Sequence, residues 1–183
     1  MDSKLWNRND IIEPMRITII GNCGSGKSTL AREISEKFNI PHIHLDRFWF
    51  DAGGHMLKKD DLKGKEIVRE RLREKIYPLI AEESWVSDGF YRSVQPMITA
   101  RADAIIFLDI PLWRRLINHV HRMFFAERHP ELSAWDDFKF ISEIVRRTFT
   151  HGVQMQTFAK ENAHKVVHFH SYKEVEKYVA SLG

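Results

Sequence analysis

A three-layer α/β fold, with a parallel sheet between two layers of helices, is predicted by three features. Apolar runs of strand length alternate with longer amphipathic stretches. Ala104–Leu108 is apolar without a break, as a strand buried on both faces requires. A glycine-rich turn follows the first apolar run and opens a helical one.

The elements follow in order. Ile17–Ile20 is a short strand ending at Gly21. Leu30, Ile34 and Phe38 recur every fourth residue, so the spacing predicts a helix over Ser28–Phe38. Pro41 then punctuates, and His42–Leu45 is the second strand. Asp51–His55, with two glycines, reads as a loop. Lys59–Ile80 is a charged helix with Val68, Leu72, Ile76 and Leu79 on one face. Trp85–Ser87 is a third strand, closed by Asp88-Gly89, and Ala104–Leu108 is the fourth. Pro111 suits a helix start, and Leu112–Phe125 carries a stripe of Leu116, Val120, Met123 and Phe124. Glu127–Ser133 is a break. Trp135–Lys160 is helical, with Gly152 as a candidate interruption. Val166–Phe169 is a fifth strand, and Ser171 caps a last helix with Glu174 at capping-box spacing.

The 183 residues suffice for one domain, read here as 1–183, and 43% hydrophobic with 29% charged is ordinary for a globular protein. No apolar run approaches the roughly 20 residues that cross a bilayer. Met1–Pro14 has no apolar stretch of signal-peptide type, so a cytoplasmic location is expected. Cys23 has no second cysteine to pair with, which fits a reducing compartment. The net charge of +3 suits a site for polyanionic nucleotides. Nucleic acid is the less favoured partner, because Lys59–Ile80 mixes both signs and offers no coherent basic face.

Gly21-Asn22-Cys23-Gly24-Ser25-Gly26-Lys27-Ser28 matches G-x-x-x-x-G-K-[ST] in full. A triphosphate needs many donors at close range. Glycines let the backbone curl so that several N–H groups point inward, and the following helix offers its positive end. Lys27 can reach the β- and γ-phosphates of ATP, and the Ser28 hydroxyl can ligate Mg²⁺. Gly21 to Ser28, with Thr29 next to it, form the expected nucleotide-binding set.

Sheets of this class bind ligands at the carboxyl ends of their strands. Asp46 ends the second strand and is the candidate base for an alcohol acceptor. Asp88 ends the third strand as a candidate metal-side acid, and Arg92 could grip an anionic acceptor. Asp109, after an apolar strand, matches the generic magnesium pattern better than Asp88. Pattern alone would choose Asp109; the deciding fact is which strand lies beside the first. Arg114, Arg115, His119, His121, Arg122 and Arg128 crowd one stretch; for Arg114 and Arg115 a solvated helix face is the favoured reading. The histidine pairs 42/44, 119/121 and 168/170 lack the cysteines or the helical spacing of a zinc site, so none is expected.

Together these segments resemble the nucleotide monophosphate kinase-like branch of P-loop proteins. Asp88–Arg92 is similar to the D-G-F-P-R signature of adenylate kinases, with Tyr91 in place of proline. Asp109-Ile110-Pro111 is similar to their D-V-P segment. The ordered series Gly21–Ser28, His44–Asp46, Trp85–Arg92 and Phe107–Pro111 resembles bacterial DNA topology modulation proteins, small adenylate kinase relatives. The resemblance covers nearly the whole chain. It implies a P-loop NTPase fold whose five-stranded parallel sheet sets the third strand beside the first, which favours Asp88 over Asp109. It implies an acceptor-binding segment near 48–80 and a helical lid near 114–131. It marks Arg122 as the lid arginine, whereas Asn118 stands where relatives carry another. The implied activity is ATP- and Mg²⁺-dependent phosphoryl transfer to a small-molecule acceptor, by a monomer or homodimer. A regulatory ATPase acting on a macromolecule is the alternative.

Overall fold

The structure is a computed structural model. It describes residues 14–58, 60–125 and 134–181, in which the side chains at 119, 121–125, 134–144, 147, 149 and 150 lie outside the description. The expected roles of Arg122, Arg128, His119 and His121, and the far part of the lid, fall outside the described residues.

Five parallel strands form the sheet: β1 (Arg16–Gly21), β2 (His42–His44), β3 (Trp85–Asp88), β4 (Ala104–Leu108) and β5 (Val166–Phe169), in the order β2-β3-β1-β4-β5. The helices are α1 (Lys27–Phe38), α2 (Leu45–Asp51), α3 (Leu62–Ala81), α4 (Gln95–Arg101), α5 (Leu112–Phe125), α6 (Ala134–Glu161) and α7 (Tyr172–Ser181).

β1 is central, and its side chains alternate between the two helical layers. Ile17 and Ile19 pack with Leu30, Ala31 and Ile34 of α1 and with Val175 and Val179 of α7. Ile20 faces the other way and meets Phe107, Met155 and Ala159, which brings α6 onto that face. A third cluster joins Ile43 and Trp85 to Leu72, Ile76 and Ile80 of α3 and to Ile98 of α4. Trp85 is fully buried, and its indole N–H donates to Ile80 O at 3.2 Å. This indole donor is therefore not left unpaired in the core.

Several expectations shift. The second strand stops at His44, and Leu45 starts α2, so Asp46 sits in the first turn of a short helix. The loop expected over 51–55 contains the end of α2 and a single 3₁₀ turn, Gly54–Met56. On α3 it is Ile80 that is buried, with Leu79 half-buried beside it. α6 runs through Gly152 without interruption. On α5 Val120 of the expected apolar stripe is exposed and Arg115 turns inward, while the Met123 and Phe124 side chains lie outside the description. α4 was not anticipated.

Among the described residues no helix is long and apolar enough to cross a membrane.

Candidate active site

The glycine-rich loop leaves β1 at the centre of the sheet and returns as α1. Two of its glycines are required by geometry. A Cβ on Gly21 would lie 2.6 Å from the Leu108 carbonyl oxygen of β4. Gly24 has φ +79°, and a Cβ there would press on the Arg115 backbone at 3.1 Å. The N-cap of α1 is Gly26, which has no side chain to satisfy the first-turn N–H groups. Those donors, on Lys27, Ser28 and Thr29, are left for a ligand. Ser25 Oγ is buried with no hydrogen-bond partner among the described residues, as is Asn22 Oδ1. The loop is thus an anion cradle with spare polar groups.

Its outer side is held by three helices. Arg115, on α5 and only 2% exposed, donates from Nη1 to Cys23 O at 3.2 Å. It also donates to Ile110 O at 3.0 Å and to Thr148 Oγ1 of α6 at 2.9 Å. Asn118 Nδ2 donates to Gly24 O at 3.2 Å and to the Tyr172 hydroxyl of α7 at 2.5 Å. The Tyr172 hydroxyl donates to Gly24 O at 3.4 Å. Burial pushes the Tyr172 phenol up, with Asn118 and the nearby arginines acting against it, so it stays a donor. In a planar trans peptide the N–H points opposite to the carbonyl. Drawing the Cys23 carbonyl outward therefore turns the Gly24 N–H inward, while the Ser25 N–H donates to Asn22 O at 3.2 Å. The solvated face expected for Arg115 is replaced by a buried clamp. Arg114 keeps the outer position, over the Trp113 ring at 4.8 Å.

At the inner mouth, Ser28 Oγ donates to Asp88 Oδ2 at 2.5 Å. Asp88 is fully buried, and its other oxygen accepts from His42 Nε2 at 2.8 Å; His44 Nδ1 lies 3.5 Å from that same oxygen. Burial acts to raise the Asp88 carboxyl. The bonds from His42 and Ser28 and the proximity of His44 outweigh it and hold the group below the usual carboxylate range. Burial pushes the Lys27 ammonium down, while Cys23, Asp46 and Asp88 pull it back up. Lys27 Nζ rests on Asn22 O at 3.0 Å. Lys27, Ser28, Asp46 and Asp88 thus share one electrostatic neighbourhood.

Asp46 is exposed, and its Oδ1 accepts from the Tyr91 hydroxyl at 2.7 Å. Tyr91 in turn stacks on Trp49 of α2, with ring centroids 5.2 Å apart. Arg92 is exposed and lines a cleft of about 450 Å³ between α4 and α6, with Phe90, Gln95 and Phe158. Asp109 lies across β1 from Asp88, at the end of β4, near His168 rather than Ser28. β3 and β4 both flank β1, so strand adjacency by itself does not separate the two aspartates. Of the two, Asp88 is the one that Ser28 contacts.

Sequence reasoning missed His42, Arg115, Asn118, Tyr172 and Thr148 as supports of the site. His42 and His44 did carry a signal. Residues two apart on a strand share a face, and β3 was expected to carry Asp88.

No family model matches the chain. Among curated proteins it is 32% identical over 85 residues to an adenylate kinase of Wigglesworthia glossinidia brevipalpis, covering 44% of this chain and 40% of the relative. It is 27% identical over 115 residues to an adenylate kinase of Listeria monocytogenes, covering 52% and 54%. The chain therefore spans about half the length, or less, of the curated relatives it matches. Among solved structures, a shikimate kinase from Acinetobacter baumannii in complex with shikimate superposes with a TM-score of 0.56 at 15% identity, covering 93% of each chain. A shikimate kinase from Bacteroides thetaiotaomicron gives 0.52 at 21% identity, covering 75% and 80%. The fold and the glycine-rich loop together define a P-loop protein. Within that class its sequence similarity is to adenylate kinases, over part of their length.

Two substitutions test the supports. His42→Leu removes a donor from a buried carboxylate and is expected to lower unfolding free energy by about 1.5–3 kcal/mol in urea titrations. Arg115→Leu leaves the Cys23 and Ile110 carbonyls without their donor and is expected to cost about 1–3 kcal/mol. A loss under about 0.5 kcal/mol, the size of an ordinary surface change, contradicts the corresponding support.

Proposed function

We propose that this chain transfers the γ-phosphoryl group of ATP, with Mg²⁺, to a small acceptor bearing a hydroxyl or a phosphate. The observation that carries the reading is the Ser28–Asp88 contact at the mouth of the loop, with Lys27 and Asp46 beside it.

The loop N–H groups from Gly21 to Thr29 would bind the phosphates, and Lys27 would swing from the Asn22 carbonyl onto the β- and γ-phosphates. Ser28 and Asp88 offer a hydroxyl and a carboxylate oxygen, a hard donor set that fits Mg²⁺. When bound, that ion supplies charge neutralisation for the bridging phosphate oxygens. His42 keeps Asp88 ionised and aimed at Ser28.

For an alcohol acceptor, its oxygen forms the new bond to the γ-phosphorus. The bond from that phosphorus to the β-phosphate oxygen breaks, and ADP leaves. The acceptor proton passes to Asp46, which the Tyr91 hydroxyl holds in place. Arg92, at the α4–α6 cleft, would grip an anionic group of the acceptor, and Arg122 would serve from the lid. The segment 48–80, whose α3 packs over β2 and β3, would be the acceptor-binding side, and 114–131 would serve as the lid. Acceptor classes are nucleotides, as for the adenylate kinase relatives, and small hydroxylated metabolites, as for the shikimate-bound relative. The protein would act in the cytoplasm.

The test is γ-phosphoryl transfer from labelled ATP with Mg²⁺, across nucleoside monophosphates, nucleosides and small hydroxylated acids. Lys27→Ala should lower transfer by at least about 100-fold with the fold retained. Asp46→Asn should lower kcat by about 100- to 10,000-fold for an alcohol acceptor and leave KM for ATP nearly unchanged. Full turnover in Lys27→Ala would sink the reading.

A further inference from the structure

A second group of ligating side chains gathers at the ends of β4 and β5, on the other side of β1 from Asp88. The parallel register pairs Phe107 with His168 and Leu108 with Phe169. Side chains alternate along a strand, so Phe107 and Asp109 share a face with His168 and His170. The rings confirm this: Phe107 stacks on His168 with centroids 4.6 Å apart. The Asp109 N–H donates to Phe169 O at 2.9 Å, which carries the ladder one residue past β4 and fixes the aspartate opposite the two imidazoles. Asp109 Oδ2 lies 3.3 Å from His168 Nε2 and 3.9 Å from His170 Nδ1. One ligand atom from each of the three side chains lies within 4.8 Å of the others.

We infer that Asp109, His168 and His170 form a binding site for a divalent transition-metal ion of the zinc class, with water completing its coordination. In a tetrahedral zinc site with bonds of about 2.0–2.1 Å, ligand atoms sit about 3.3 Å apart. The Asp109–His168 pair has that spacing already. His170, with 63% of its side chain exposed, can close the remainder by rotation. The neighbouring cation, Arg115, is engaged by Cys23, Ile110 and Thr148, so it leaves the Asp109 carboxylate to the ion. Two imidazoles with one carboxylate select zinc, nickel or cobalt over magnesium. The Ser28–Asp88 pair, on the other side of β1, offers oxygen, and the His42 imidazole beside it is already engaged on Asp88.

The position gives the ion a consequence. His170 lies two residues before Tyr172, whose hydroxyl rests on Gly24. The His170 N–H donates to Glu174 Oε2 at 2.8 Å, which ties the turn to the first turn of α7. An ion joining Asp109 to His170 fastens the β5–α7 turn to β4 and so steadies the outer support of the phosphate loop.

The test is calorimetric titration of the whole, metal-free chain with Zn²⁺, without nucleotide and in excess Mg²⁺. Visible absorption with Co²⁺ reports the imidazole ligands. The wild type should bind one Zn²⁺ that the His168→Ala/His170→Ala variant loses. Changing even an outer-shell partner of a bound metal costs about 10- to 100-fold, so His170→Ala alone should weaken that binding at least about tenfold. Ser28→Ala should leave it unchanged. Circular dichroism confirms that each variant is folded, and the exposed His170 makes the single variant a safe one. No zinc bound by the wild type, or equal affinity in wild type and His170→Ala, overturns the assignment.

Discussion

One buried carboxylate sets the geometry of the candidate site. Asp88 ends β3, which lies between β1 and β2, and it is bonded to the first turn of α1 through Ser28 and to β2 through His42. A buried charge is costly unless it is fully partnered. Here the partners come from two other elements, α1 and β2, so the carboxylate can be satisfied only when β2, β3 and α1 come together. The same contacts that satisfy Asp88 place its oxygen beside the loop that would hold the phosphates. Folding and site assembly are one event at this position.

The loop itself is determined from outside. Glycines make its curl sterically possible, but they do not decide which way the peptides face. That direction comes from Arg115, Asn118 and Tyr172, which occupy the outward carbonyls of Cys23 and Gly24. Arg115 is the unusual member, a buried guanidinium bonded to two backbone carbonyls and a threonine hydroxyl. Its donor fork suits several fixed acceptors at once, which a lysine could not reproduce. Asn118 is a structural donor to Gly24 and Tyr172.

Much of this was legible before the fold was known. The strands at 104–108 and 166–169 and the helix at 112–125 stand where the apolar pattern put them, because long or fully apolar segments leave little ambiguity. The seven-residue helices α2 and α4 did not announce themselves. Leu45–Asp51 is too short for a helical period to be told from a strand end, and Pro96 in the first turn of α4 reads as punctuation. Arg115 looked solvated because a sequence shows which residues share a helix face but not which face turns inward. Pattern alone pointed to Asp109 over Asp88, because an unbroken apolar run precedes it and no local pattern tells which strand end the loop faces. Cross-strand neighbours such as Asp109 with His168, and His42 with Asp88, are set by register, which no local spacing encodes.

The central claim is that Asp88 and Ser28 form the metal side of a phosphate site built on the loop. Its most direct test is a crystal structure with a non-hydrolysable ATP analogue and Mn²⁺, located by anomalous scattering. The account predicts the β-phosphate within the Gly21–Ser28 backbone and a manganese peak bordered by Ser28 Oγ and the Asp88 carboxylate. Phosphates outside the loop, or nucleotide bound with no peak between Ser28 and Asp88, would contradict it.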